Sequence, residues 1–153
     1  MKDFFGFLNA LPLSILMWVL LLLLYATGNV DKVTRSGWFF IVDMKEAGWF
    51  FRVFFKQRNF LCLGFGNVVL VNDTDFSRKS RLIDHEICHC RQCFLWGILF
   101  PFLYFLESVR IYFFDTDVHP YYDNIFEIRA RVAAGQPLVI PKSMWKVDRW
   151  FFF

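Results

Sequence analysis

The sequence predicts an α+β protein: an N-terminal transmembrane helix, then a small antiparallel sheet, then helices that carry His-Glu-x-x-His and a downstream glutamate. Three observations predict it. Phe4 to Val30 carries no charged residue and contains five consecutive leucines, Leu20 to Leu24. Between Gly37 and Val71, short aromatic and β-branched runs are broken by glycine and polar residues. From about Ser77 the pattern turns helical around Asp84-His85-Glu86-Ile87-Cys88-His89.

The N-terminal run is long enough for a bilayer, which about 20 apolar residues cross as a helix. Trp18 and Tyr25 are suited to anchoring it, and Pro12 is tolerated in a first turn. Lys2 is offset by Asp3, so the start is a weak signal-peptide n-region, and an uncleaved anchor is preferred to cleavage at Ala26-Thr27-Gly28. Lys32 and Arg35 follow the run, and this slight positive excess puts the rest of the chain on the cytoplasmic side of a single-pass protein. The expected division is an anchor at 1–30, a domain at 37–140 and a basic, aromatic tail at 141–153. In that tail Lys142, Lys146 and Arg149 share one helical face, as in a segment lying on a membrane surface.

Composition agrees with lipid contact. Apolar residues are 57% of the 153, and 22 are phenylalanine, where an ordinary soluble domain is about half apolar. An aromatic surface that binds a protein partner is the other use of this excess. A net charge of +3, with no basic stripe, excludes a nucleic-acid footprint.

The expected strands are Trp38–Val42, Trp49–Phe55, Phe60–Leu63 and Asn67–Val71. Their poor alternation implies that both faces are covered. A strand beside the motif helix offers an edge on which an extended peptide can add as a further strand. Asn72 to Asp75 is a turn and helix-capping stretch. Phe94–Leu106 is an apolar run too short to span comfortably, read as a continuation of the motif helix that Pro101 kinks or breaks. Ile125–Ala134 reads as a last helix, ended by Gly135 and Pro137.

His-Glu-x-x-His is the zinc-metallopeptidase signature. Residues four apart share one helix face, so His85 and His89 can present ring nitrogens to one Zn²⁺. Glu86, about 100° round the helix, is the residue to activate water and pass its proton to a leaving amine. A catalytic zinc needs a third protein ligand. Glu107 lies about 27 Å further along an unbroken helix, and His119 and Glu127 lie beyond it. An antiparallel helix favours Glu127 over the loop residue His119. Cys88 and Cys93 fall within about 80° of His85 and are alternative thiolate ligands, whereas Cys90 points away. Otherwise the cysteines are free thiols of a reducing compartment. Tyr121, Tyr122 and His119 are candidates to stabilise an oxyanion.

Residues 64 to 135 resemble a family of small bacterial and phage zincin-like proteins. The resemblance is carried by Gly66-Asn-Val-Val-Leu70, His85-Glu-Ile-Cys-His89-Cys-Arg-Gln92, Trp96-Gly97 and Tyr122-Asp-Asn-Ile-Phe-Glu127-Ile-Arg-Ala130. It implies zincin-like helices, with His85, His89 and Glu127 as zinc ligands and Glu86 as the acid/base. Gln92, Asp123 and Asn124 would support the ligands. Cys88, Cys90, Cys93 and Arg129 depart from the family pattern without removing a ligand. The expected function is a membrane-anchored zinc metallopeptidase acting on a peptide or protein. The alternative is a non-catalytic, membrane-associated interaction protein or phage structural protein with a structural or vestigial metal site.

Overall fold

The structure is a computed structural model that describes residues 2–45, 62–72, 76–115 and 118–138. The expected strand at Trp49–Phe55, most of the capping stretch before the motif helix, and the tail at 141–153 lie outside them. The described elements are α1 (Lys2–Asn9), α2 (Leu11–Ala26), β1 (Val30–Ser36), β2 (Phe39–Met44), β3 (Cys62–Phe65), β4 (Val68–Val71), α3 (Phe76–Trp96), a 3₁₀ turn (Gly97–Leu99), α4 (Phe100–Phe114) and α5 (Ile125–Ala133).

The sheet has the order β1-β2-β4-β3. It is mixed rather than antiparallel: β1 and β2 form a hairpin, β3 and β4 pair antiparallel, but β2 and β4 run parallel, with Phe40 opposite Val68. The parallel pair requires a long return between its strands, and the chain from Lys45 to Asn67 supplies it. β4 is Val-Val-Leu-Val, and all four residues are buried. Side chains alternate across a strand. Val69 and Val71 join Cys90, Cys93 and Phe94 of α3, while Val68 and Leu70 join Met17 and Leu24 of α2. The sheet therefore lies between the motif helix and the leucine-rich helix. Complete coverage of β4 explains why its sequence shows no alternation.

The first 30 residues do not form one straight helix. α1 and α2 meet at 74°, and Val30 already belongs to β1. α2 has 16 residues, about 24 Å at 1.5 Å per residue, against a hydrocarbon core of about 30 Å. One face of α2 buries Leu13, Ser14, Met17 and Leu24. Each fully buried large apolar side chain contributes about 1.5–3 kcal/mol, so α2 is held to the sheet as a layer of the fold. Its other face exposes Ile15, Leu16, Val19, Leu22 and Leu23.

α3 ends at Gly97, which adopts φ +57°, a left-handed conformation that glycine takes without steric cost. Asn9, at the α1–α2 corner, donates its amide Nδ2 to the carbonyls of Phe94 and Leu95, at 3.1 and 3.0 Å. These are carbonyls of the last turn, which lack helical partners at a helix end. The break is thus at Gly97, and Pro101 sits in the first turn of α4, where its missing N–H costs nothing. Taken as one run, Arg78–Phe114 (37 residues) is long and apolar enough to cross a membrane, and α1 with α2 passes the same test only as a bent pair.

Candidate metal centre

His85 and His89 sit one turn apart on α3, and Glu127 sits in the first turn of α5. The position of α5 comes from Asn124. Its Oδ1 accepts the Phe126 N–H at 2.9 Å, capping the helix, and its Nδ2 donates to Ser108 Oγ at 2.8 Å and to the Tyr104 carbonyl at 3.0 Å, tying that cap to α4. All three candidate ligands are buried, and their ligand atoms lie within 4.8 Å of one another.

The triangle is tighter than that bound. His85 Nε2 lies 3.2 Å from Glu127 Oε2, His89 Nε2 lies 3.1 Å from Glu127 Oε1, and the two Nε2 atoms are 3.2 Å apart. Ligands on a tetrahedral zinc, with bonds of about 2.0–2.1 Å, stand about 3.3 Å from one another. The spacing fits.

The outer nitrogens of the rings decide which atoms face inward. Gln92 donates Nε2 to the Phe126 carbonyl at 3.0 Å, so its Oε1 is the atom 2.8 Å from His89 Nδ1. Gln136 donates Nε2 to the Arg81 carbonyl at 3.4 Å, so its Oε1 is the atom 3.1 Å from His85 Nδ1. An amide oxygen only accepts, so each Nδ1 carries a proton, and Nε2 is the atom of each ring left to bind a metal once any proton on it is displaced. Two ring nitrogens and a carboxylate converging in a buried place could hold a metal ion, and imidazole with carboxylate suits several divalent transition metals, zinc among them.

Gln136 reaches His85 because of how α5 ends. Gly135, at φ +60°, lets the Gln136 N–H bond the Arg131 carbonyl at 2.9 Å and its own N–H bond Val132 at 3.2 Å. This is the Schellman turn, and it brings the chain back over α3. Glu127 is completed by Tyr104, whose hydroxyl donates to Oε1 at 2.9 Å. Burial works to raise the Glu127 carboxyl, but the charges and hydrogen bonds of His89 and His85 outweigh it and hold it well below the usual carboxylate range.

Glu86 turns toward the sheet. Its carboxylate accepts the backbone N–H of Gly64 on β3, the strand at one end of the sheet order. Burial pushes this carboxyl up, while His89, His85 and the Gly64 N–H pull it down and Glu127 pushes it up further.

The other expected residues have different duties. Asp123 accepts the His119 N–H at 2.6 Å, and His119 Nδ1 accepts the Tyr121 and Tyr122 N–H groups at 3.1 and 3.4 Å. His119 therefore organises the loop before α5 and does not join the cluster. Glu107 is bound by Arg110 on exposed α4. Among the described residues, neither Cys88 nor Cys93 belongs to the cluster. Cys93 is buried in the core, where burial pushes its thiol up to about 12. Tyr104 and Gln136 were not foreseen. Gln136 carries no motif signal, and Tyr104 lies in an apolar run that reads only as packing.

No protein-family model, curated protein or solved structure matches the chain.

Proposed function

We propose that the protein is a membrane-attached zinc metallopeptidase. The observation that carries this reading is the buried triangle of His85 Nε2, His89 Nε2 and Glu127, with both histidine tautomers set by glutamine oxygens. Three ligands leave a fourth position open, as in catalytic sites, whereas a structural zinc takes four protein ligands. That count, among the described residues, favours catalysis over a structural metal. Zinc held there would supply a Lewis acid that acidifies water and polarises a carbonyl. Glu86 is the base that takes the proton of the attacking water and delivers it to the leaving amine. The edge of β3 beside Glu86 is suited to an extended peptide, which adds to a sheet through main-chain hydrogen bonds.

Membrane attachment is supported by the apolar surface. The 3₁₀ turn touches α1, α2 and α4, and large apolar side chains are exposed on all four, among them Phe5, Leu16, Leu22, Ile98, Leu99 and Phe102. An apolar groove of about 290 Å³ lined by Trp18, Leu21, Leu22 and Phe40 continues this surface. α1 and α2 dip into lipid on one face and hold the sheet with the other. The exposed strand β1, with Lys32 and Arg35, lies on the cytoplasmic side.

Elemental analysis of the detergent-purified full chain tests the site. The expected result is about one zinc per chain, lost in Glu127→Ala, with peptide hydrolysis abolished in Glu86→Gln while zinc is retained. Zinc kept in Glu127→Ala would move the third ligand elsewhere, and no zinc in either protein would end the metallopeptidase reading.

A further inference from the structure

Among the described residues, Arg131 is the one buried charge that neither the metal centre nor the loop uses. It lies on α5 one turn beyond Glu127 and is 4% exposed. Arginine is almost never this buried unless it is paired. Here the guanidinium Nε and Nη2 are both shut off from solvent and have no hydrogen-bond partner. Its contact is the ring of Tyr122, 5.7 Å from Cζ to the ring centre. A ring face attracts the cation but leaves the N–H groups at the edge of the guanidinium plane free. Those groups form a fork that matches a carboxylate.

Glu127 does not neutralise it. Both Glu127 oxygens are engaged by His85, His89 and Tyr104. Arg131 and Glu127 are four apart on α5 and both buried, so they share one helix face.

We propose that Arg131 is the anchor for a carboxylate carried by the substrate. The carboxylate is either the free C-terminus of a peptide or an acidic side chain close to the bond cut. A bidentate Arg–carboxylate pair fixes orientation as well as charge. This proposal rests on the metallopeptidase reading, whose substrate class it narrows.

The test uses the zinc-loaded full chain in detergent carrying Glu86→Gln, to prevent turnover. Three dansylated probes are titrated and followed by energy transfer from tryptophan: tetra-alanine with a free C-terminus, its C-terminal amide, and an amidated peptide with one internal aspartate. The expected result is that at least one carboxylate-bearing probe binds tenfold or more tighter than the neutral amide. Whether the free-acid or the aspartate probe gains identifies the source. Adding Arg131→Gln should erase the preference at unchanged zinc content, and Arg131→Lys should keep part of it. Equal binding of all three probes, no binding of any, or a preference that survives Arg131→Gln would overturn the proposal. The comparison among probes on the Arg131-containing protein holds even if Arg131→Gln does not fold. Cleavage by the Glu86-containing protein is measured separately. Cleavage without carboxylate preference removes the subsite and leaves the peptidase, while preference without cleavage removes the peptidase and leaves an anion site.

Discussion

Gly64 lies directly against the backbone of α3 at Glu86. A β carbon on Gly64 would stand 2.5 Å from the Glu86 carbonyl oxygen and 2.9 Å from the Glu86 Cβ. The strand approaches this closely because the residue has no side chain, and the Gly64 N–H thereby reaches the Glu86 carboxylate. Gly64→Ala must push strand and helix apart. It is expected to cost about 1–3 kcal/mol, as overpacking does, seen as a lowered melting temperature, and to reduce peptide hydrolysis without loss of bound zinc. Hydrolysis as fast as wild type would show that the Gly64–Glu86 contact has no part in positioning the base.

The glutamines behind the histidines set the tautomers, so their loss weakens the metal without removing a ligand. Gln92→Ala and Gln136→Ala are each expected to lower zinc affinity about 10–100-fold, the usual effect of removing a ligand's outer partner. Competition with a chromophoric chelator measures this. Gln92 also bonds the Phe126 carbonyl, so its variant should lose stability as well.

Zinc uptake should release protons. Burial lowers the His89 ring, but the charge of Glu127 and its hydrogen bond raise it, and the result is a value pushed up to about 9. At neutral pH a chelator-stripped chain therefore keeps a proton on His89, and the metal must displace it. Apparent affinity is full above about pH 9 and falls as pH drops, by up to about tenfold per unit for one displaced proton. Titration with zinc at pH 7.5 in two buffers of different ionisation enthalpy should show about one proton released per chain. A buffer-independent heat would contradict this.

Asn124 holds both ends of one connection, the cap of α5 and the tie to Ser108. Asn124→Ala removes a cap worth about 0.5–2 kcal/mol and leaves buried groups without partners. The expected loss is about 2 kcal/mol or more in chemical denaturation, with weaker zinc binding because Glu127 is three residues further on.

The exposed face of α2 is open to substitution. Leu16, Leu22 and Leu23 are 61%, 69% and 60% exposed. Replacing all three by serine should change folding stability little, about 0.5 kcal/mol or less per site, while abolishing flotation with phospholipid vesicles. Retained flotation would place the lipid contact on α4 instead.

Particular residues show what could be read from the chain. The i, i+4 histidines follow from helix geometry, and Glu127 stands on the next predicted helix, which can return antiparallel over the motif, so both are visible in the sequence. β1 was not, because six of its seven residues are exposed and no apolar alternation marks it. The parallel pairing of β2 with β4 depends on a long return, which short-range pattern cannot register. Pro101 stands out as a breaker, yet the turn is made by Gly97, and the Phe94 and Leu95 carbonyls just ahead of it are capped by Asn9, 85 and 86 residues earlier in the chain. Gln136 was illegible for the same reason: its role depends on where the end of α5 is returned.

The Asn9 contact changes how the chain can be shortened. A leucine-rich N-terminal segment invites removal to obtain a soluble fragment. Here the cut would take the caps from the last turn of α3, strip the Val68–Leu70 face of β4 of its cover, and loosen the helix that bears both histidines. The first 26 residues are thus an inseparable part of the folded body, and a protease that clipped them would disrupt the His85–His89–Glu127 cluster rather than release it intact.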